Sequence, residues 1–255
     1  MTSRTAFAAL HSPTTSLVVT DDEDVPRVVH WGARLGDDLD LDAASWAAAT
    51  DHPVPQGGLD HVVPLSLLPE RARGWSAYAG ISGHRADGRD WAPILRRVSS
   101  SCDGTAYTWT GRDERAGLTA TITLTLDVHG VLRVDSSLTN DGDDVYTLDS
   151  FATALPLPAR AAEAMTLTGR WTKEMQPQRH ALGTAALVRE GRRGKTSFES
   201  SPTIAVGTAA FGEQSGEVWL AHLAWSGNHR LHVETLSDAR RFVSLSELLL
   251  PGEVR

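Results

Sequence analysis

Apolar and polar residues alternate most cleanly between Leu118 and Val128. Leu118, Ala120, Ile122, Leu124, Leu126 and Val128 fall on one side of an extended chain, and Thr119, Thr121, Thr123, Thr125 and Asp127 fall on the other. A period of two marks a strand with one face buried and one in water, the antiparallel habit. His129-Gly130 offers a tight turn, after which Leu132, Val134, Ser136 and Leu138 alternate with Arg133, Asp135 and Ser137. Asn140-Asp141-Gly142 supplies the next turn, and a third strand is expected from Val145 to about Leu155. Three consecutive strands joined by short turns predict a meander.

Further strands are expected at Ser16 to Val19, Pro26 to Trp31, Ala106 to Thr110, Ala185 to Arg189, Thr203 to Ala209, Glu217 to Leu223, Leu231 to Thr235 and Arg241 to Leu245. Their spacing, with Gly and polar clusters between them, predicts a sandwich or barrel. Helix is scarce. Leu41 to Ala49 is the best case, with Asp42 as its N-cap, and a short helix is expected over Leu65 to Ala72. Pro53 to Asp90 has weak periodicity and reads as a long irregular excursion of the kind that often carries function.

Composition narrows the classes. At 255 residues and 41% hydrophobic, the chain can bury a real core as one large all-β unit. A net charge of -8 with scattered acidic groups argues against a nucleic-acid or anionic-membrane partner. The single cysteine, Cys102, permits no intrachain disulfide and no thiolate metal site, and the ten histidines lack metal-ligand spacing. No cofactor and no metal are expected. No apolar run approaches the ~20 residues of a membrane span, and no signal-peptide core precedes His11, so the expected setting is the cytoplasm.

Candidate chemistry lies in two tryptophan segments. In Gly169-Arg170-Trp171-Thr172-Lys173-Glu174 an indole sits beside Arg170 and Glu174; in Trp225-Ser226-Gly227-Asn228 a second sits beside Asn228. Indole faces take the apolar face of a pyranose and polar side chains take its hydroxyls. The same residues also suit an ordinary loop fixed by an Arg–Glu pair and a hairpin turn with a core tryptophan. Paired carboxylates at Asp21 to Asp24, Asp37-Asp38 and Asp143-Asp144 meet the residue requirement of glycoside hydrolysis, but each lies where a solvated turn is expected. Gly194-Lys195-Thr196 lacks the upstream glycine of a phosphate loop.

From about Ser16 to Arg255 the chain resembles the N-terminal domain of glycoside hydrolase family 36, the bacterial α-galactosidases. The resemblance rests on Val28-Val29-His30-Trp31-Gly32, on Leu132 to Asn140, and on Leu155-Pro156-Leu157-Pro158 ahead of Gly169-Arg170-Trp171 with Glu174 and Arg179. It continues through Ser197 to Pro202, through Gly216 to Trp219 leading into Trp225 to Asn228, and through Leu249 with Pro251-Gly252-Glu253.

The resemblance implies an all-β, antiparallel β-supersandwich of the galactose-mutarotase kind, a single domain over residues 1–255. It implies a catalytic barrel after residue 255 that carries the nucleophile and acid/base of a retaining mechanism. The partners expected are α-galactosides bound through that barrel, the barrel itself, and further copies in a homo-oligomer. It also marks Val54 to Pro64 as a loop that reaches an active site, with Leu59-Asp60-His61 in place of the family's Gly-Asp-Phe-Arg; only the Asp is retained. The substrate-binding or interface candidates are therefore Asp60, Arg170, Trp171, Glu174, Trp225 and Asn228, with no catalytic residue among them. Val243 to Leu250 and the loops around Trp75 and Trp91 are the expected docking surface. Two other readings stand beside this one: a free-standing sugar mutarotase or epimerase, for which His222 with Glu217 or Glu234 could be imagined as acid and base, and a non-catalytic carbohydrate-binding module.

Overall fold

A computed structural model describes residues 7–22, 24–36 and 62–254. The expected helix over Leu41 to Ala49, the Asp37-Asp38 pair and Asp60 lie outside these residues. Contacts divide the chain into two compact units, Met1–Trp75 with Gly83–Thr147, and Ser76–Ser82 with Leu148–Arg255. Every pairing of defined register is antiparallel.

The first unit holds a three-stranded sheet of β1 (Phe7–His11), β2 (Thr15–Thr20) and β3 (Arg27–Ala33) in sequential order. It also holds part of β4 (Ile81–Arg85) and a four-stranded meander of β5 (Arg96–Cys102), β6 (Ala106–Asp113), β7 (Leu118–Leu126) and β8 (Leu132–Asn140). β7 realises the predicted alternation: Leu118, Ala120, Ile122, Leu124 and Leu126 are at most 4% exposed. Each of its buried leucines and its isoleucine contributes about 1.5–3 kcal/mol, an upper bound. Outward threonines pair across strands, Thr108 with Thr123 at 3.2 Å and Thr110 with Thr121 at 3.3 Å. Trp109 of β6 is fully buried, and its Nε1 donates to the Asp24 carbonyl at 2.7 Å. Its ring lies over Gly111, where a Cβ would come within 2.3 Å of Cη2.

Polar groups clamp this unit. Buried Arg85 donates to the Ala116 carbonyl at 2.5 Å, to Asn140 Oδ1 at 2.9 Å and to the Asp144 carbonyl. Glu70 is also buried and accepts the Leu95 amide at 2.6 Å beside Arg73. Burial pushes its carboxyl above the ordinary range, against the lowering pull of that amide and of Arg73. Asp21 and Asp24, expected as solvated turn carboxylates, bind arginines instead. Asp21 is 3% exposed and pairs with Arg97 at 2.6 Å, and Asp24 pairs with Arg96 at 2.7 Å.

The second unit holds two four-stranded sheets. The first runs β10 (Thr153–Leu157), β17 (Arg241–Glu247), β16 (His229–Thr235), β13 (Ala186–Gly191). The second runs β12 (Lys173–Ala181), β11 (Glu163–Arg170), β14 (Thr203–Gly207), β15 (Val218–His222).

Several expectations are corrected. The single strand from Val145 breaks at buried Ala152 into β9 (Tyr146–Phe151) and β10, and β9 pairs with β4 rather than extending the meander. The helix over Leu65 to Ala72 is only a 3-10 turn at Arg71–Arg73, closed by Gly74 at φ 94; Pro64 and Pro69 leave no run long enough for an α-helix. The irregular excursion to Asp90 contains β4. Trp75 (4% exposed), Val243 (2%) and Leu248 (5%) are core, not docking surface, whereas Trp91 is 61% exposed.

Candidate functional site

Both tryptophan segments lie in the second unit, and one loop holds them. β11 and β12 form a hairpin whose last pair, Arg170 with Lys173, leaves Trp171-Thr172 as the tip. The register slips between Thr168 and Arg170, where Gly169 sits at φ 153. A Cβ there would stand 2.2 Å from the Lys173 carbonyl, so only glycine fits this bulge. Thr172 and Met175 adopt positive φ, 69 and 52 degrees. For a β-branched residue this is strained backbone. Glu174 offsets the strain at Thr172: its Oε1 accepts the Thr172 amide at 2.8 Å. Arg170 Nη1 donates to the Trp171 carbonyl at 3.3 Å. Trp171 is left 74% exposed and Met175 57%.

The segment after β13 packs beside this tip. Phe198 meets the Trp171 ring edge-on, with centroids 6.2 Å apart. The Glu199 carbonyl accepts Thr168 Oγ1 at 2.9 Å and Arg189 Nη2 at 2.7 Å, while its carboxylate pairs with Arg193 at 2.6 Å. The same segment reaches the second tryptophan. Thr196 donates its amide to the Ser226 carbonyl at 2.8 Å, and Gly194 donates its amide to Asn228 Oδ1 at 2.7 Å. Trp225 Nε1 donates to the Asn228 carbonyl at 3.1 Å, and its ring covers Gly227, where a Cβ would meet Nε1 at 2.6 Å.

Below this loop His229 is fully buried. Its Nδ1 lies 3.1 Å from the Gly227 carbonyl, which can only accept, so Nδ1 carries a proton there, and Nε2 lies 3.1 Å from Ser200 Oγ. No sequence pattern announced His229, because a buried histidine in a strand has no periodic signature.

The site residues thus divide. Trp171 and Trp225, the latter 40% exposed, present aromatic surface on either side of one loop. Arg170 and Glu174 shape the hairpin tip. Asn228 is buried at 7% and its Oδ1 is taken by the Gly194 amide.

The imagined acid–base pairs do not form as sequence suggested. His222 bonds Thr203 Oγ1 at 2.9 Å, and Glu217 pairs with Arg160 at 2.5 Å. Glu234 instead bonds His232 Nε2 at 2.9 Å. That imidazole stacks on Tyr78 at 4.4 Å and on Phe242 at 5.8 Å, and burial holds it below its ordinary range against the raising effect of Glu234. Among the described residues no cluster of His, Cys, Asp or Glu could hold a metal ion, and no helix is long and apolar enough to cross a membrane.

Comparison with known proteins agrees with this architecture. The family description "Glycosyl hydrolase family 36 N-terminal domain" matches residues 24–255. An α-galactosidase of Escherichia coli is 38% identical over 247 residues, which are 97% of this chain and 34% of that protein. The α-galactosidase AgaA of Geobacillus stearothermophilus is 28% identical over 119 residues, 44% of this chain and 16% of that protein. The chain thus spans about a third of the first relative and less of the second. Among solved structures, AgaA in complex with 1-deoxygalactonojirimycin superposes with a TM-score of 0.78 at 20% identity, over 97% of this chain and 39% of that one. The α-galactosidase of Lactobacillus brevis superposes at 0.77 and 15% identity, over 95% and 36%. At those identities the likeness is one of fold.

Proposed function

Because the chain belongs to glycoside hydrolase family 36, we propose that it is the non-catalytic N-terminal domain of a retaining α-galactosidase. The observation that carries this is the 38% identity to an α-galactosidase, which runs through 97% of the chain and only 34% of the relative. In this reading the parent hydrolyses terminal α-galactosides in the cytoplasm. Its nucleophile and acid/base lie on a barrel outside this chain, and the domain supports that barrel, shapes substrate access and takes part in a homo-oligomer. The hairpin tip suits the supporting role. Trp171 and Met175 of the hairpin and Phe198 of the segment beside it are large apolar side chains left in solvent, which is the composition of a surface that another body covers. Asp60 belongs to the proposal as a candidate for substrate access.

A free-standing mutarotase would need its acid and base open to a sugar. His232 and Glu234 form a close His–carboxylate pair in the second unit, but that imidazole is buried and stacked with the rings of Tyr78 and Phe242.

The test is turnover of an aryl α-galactoside by the 255-residue chain and by its parent. The parent is expected to hydrolyse it with retention and the chain to show no rate above a blank. Turnover by the chain alone would overturn the assignment.

A further inference from the structure

The first unit contains a cleft that no role above uses. It is an open depression of about 1170 Å³ between the turn at Gly88–Ala92 and Arg112–Arg115, where β6 ends and its turn into β7 begins. Trp91 stands on its wall, 61% exposed, and its indole makes no hydrogen bond or ring contact with the described residues. Arg112 and Arg115 reach Asp141 and Asp90 only at 3.8 Å, with side chains 48% and 74% exposed. At that separation neither guanidinium makes a hydrogen bond to its carboxylate, so its donors are open to a ligand.

The walls are fixed in advance. Asp113, 7% exposed, accepts the Ile94 amide at 2.7 Å and the Ala116 amide at 2.9 Å, which ties the two turns together. Asp90 holds φ at 58 degrees, and its carbonyl accepts the Tyr146 hydroxyl at 3.2 Å. Preorganised walls spare a ligand the ordering entropy that weak binding cannot carry.

Charge decides the class of ligand. The other arginines of the cleft are neutralised at close range: Arg96 by Asp24 at 2.7 Å, Arg97 by Asp21 at 2.6 Å and Arg89 by Asp87. Arg112 and Arg115 face Asp141, Asp90 and the lining residue Glu114. The cleft therefore offers an anion little net field, although its donors, acceptors and exposed indole remain. That set suits a neutral polyhydroxyl ring, apolar on one face and rich in donors and acceptors at its edge.

We propose that this cleft is a saccharide-binding site of the domain itself, taking a neutral pyranoside with Trp91 beneath its apolar face and Arg112 and Arg115 donating to its hydroxyls. The site needs no catalytic barrel, so it stands or falls separately from the α-galactosidase reading.

The experiment follows the indole N–H signals of the 255-residue chain by NMR during titration with galactose, raffinose and inorganic phosphate. The signal missing from Trp91→Ala is expected to shift saturably with either sugar, at a midpoint on the order of millimolar, and to ignore phosphate. The double variant Arg112→Ala, Arg115→Ala is expected to raise that midpoint about tenfold or more. Trp171→Ala is expected to leave it unchanged. Thermal midpoints check folding, and Arg112→Lys, which keeps the charge, is expected to retain weakened binding. The proposal is overturned by the absence of any saturable sugar shift at Trp91, by a shift with phosphate alone, or by an unchanged midpoint in the arginine variant.

Discussion

The β5–β8 sheet of the first unit and the β12-β11-β14-β15 sheet of the second are both four-stranded and antiparallel, yet their sequences are written in different ways. β7 buries Leu, Ala, Ile, Leu and Leu and turns threonines outward, so its period of two is plain. β11 buries Ala164 and Thr166 and leaves Met165 and Leu167 half-exposed, so the large apolar residues mark the wrong face. β12 is exposed along almost its whole length, yet carries Met175. In the first sheet β6 and β7 spend their large apolar residues on the core, and only the edge strand β5 leaves one, Val98, largely exposed. The second keeps some of them for its surface, beside the two exposed tryptophans. A strand whose pattern contradicts its burial is a place to look for something that the strand has yet to meet.

The widest test of this contrast is Trp109→Ala against any change at the hairpin tip. Trp109 is fully buried and anchored by its Nε1 to the Asp24 carbonyl. Its loss is expected to cost about 3–5 kcal/mol in urea unfolding. A cost below about 1 kcal/mol would show that the first sheet tolerates voids and is no tighter than the second. Next in size is Gly169→Ala. Positive φ and a Cβ 2.2 Å from the Lys173 carbonyl force the bulge to move, at an expected cost of about 1–3 kcal/mol. Amide exchange is expected to place that loss in β11 and β12 and to spare β5–β8.

Acid separates the two units by sign. His232, in the second, is held below its ordinary range by burial, opposed by Glu234. Unfolding frees it to titrate near its usual value of about 6.5, so the unfolded chain takes the proton first. Its contribution is full above that pH and is lost as pH falls from there toward the lower folded value. Glu70, in the first unit, is held above its range by burial, opposed by the Leu95 amide and Arg73. There the folded state takes the proton first, so stability rises as pH falls from the raised value toward about 4.3. Amide exchange on β16 is expected to lose protection, relative to its intrinsic rate, between pH 7 and 5.5, and His232→Gln is expected to remove that dependence. Exchange at the Leu95 amide is expected to slow, relative to its intrinsic rate, in the more acid window. Shifts of the same sign in both places would remove this contrast.

How much of this was legible follows the same division. Strands with large aliphatics inside, β2, β7, β14, β16 and β17, stand in the sequence within a few residues of their true ends. β5, Arg-Arg-Val-Ser-Ser-Ser-Cys, is an edge strand exposed at every position, and nothing in it alternates. β12 hides for the same reason, and β1 and β4 are too short to show a period. The third strand of the expected meander is two strands, β9 and β10, and β9 pairs with β4, because turn chemistry at Asn140-Asp141-Gly142 says that the chain turns but not which strand it turns toward. Of the site, residue type disclosed both tryptophans. It could not disclose that Asn228 faces inward to the Gly194 amide, or that Phe198 joins Trp171, since both depend on a loop some thirty residues away.

The smallest effect on stability is expected at Trp171, and it is the most informative. The side chain is 74% exposed and touches Phe198 only edge-on. Little area returns to water when it is removed, so Trp171→Ala in the 255-residue chain should change unfolding by less than about 0.5 kcal/mol. The backbone strain at Thr172 is held by Glu174 and not by the indole, so the hairpin should keep its shape. In the full-length protein the expected result is different. If the tip is covered by a second body, the same substitution removes a buried aromatic anchor, of the kind that costs about 2 kcal/mol or more at an interface. The ratio of the two effects is the measurement: thermal midpoint and turnover of an aryl α-galactoside for Trp171→Ala, in the chain and in the parent. Equal, small changes in both would leave Trp171 a solvent-exposed turn residue and dissolve the contrast between the two sheets. A large loss confined to the parent would show that the second sheet withholds its apolar residues for a surface outside itself.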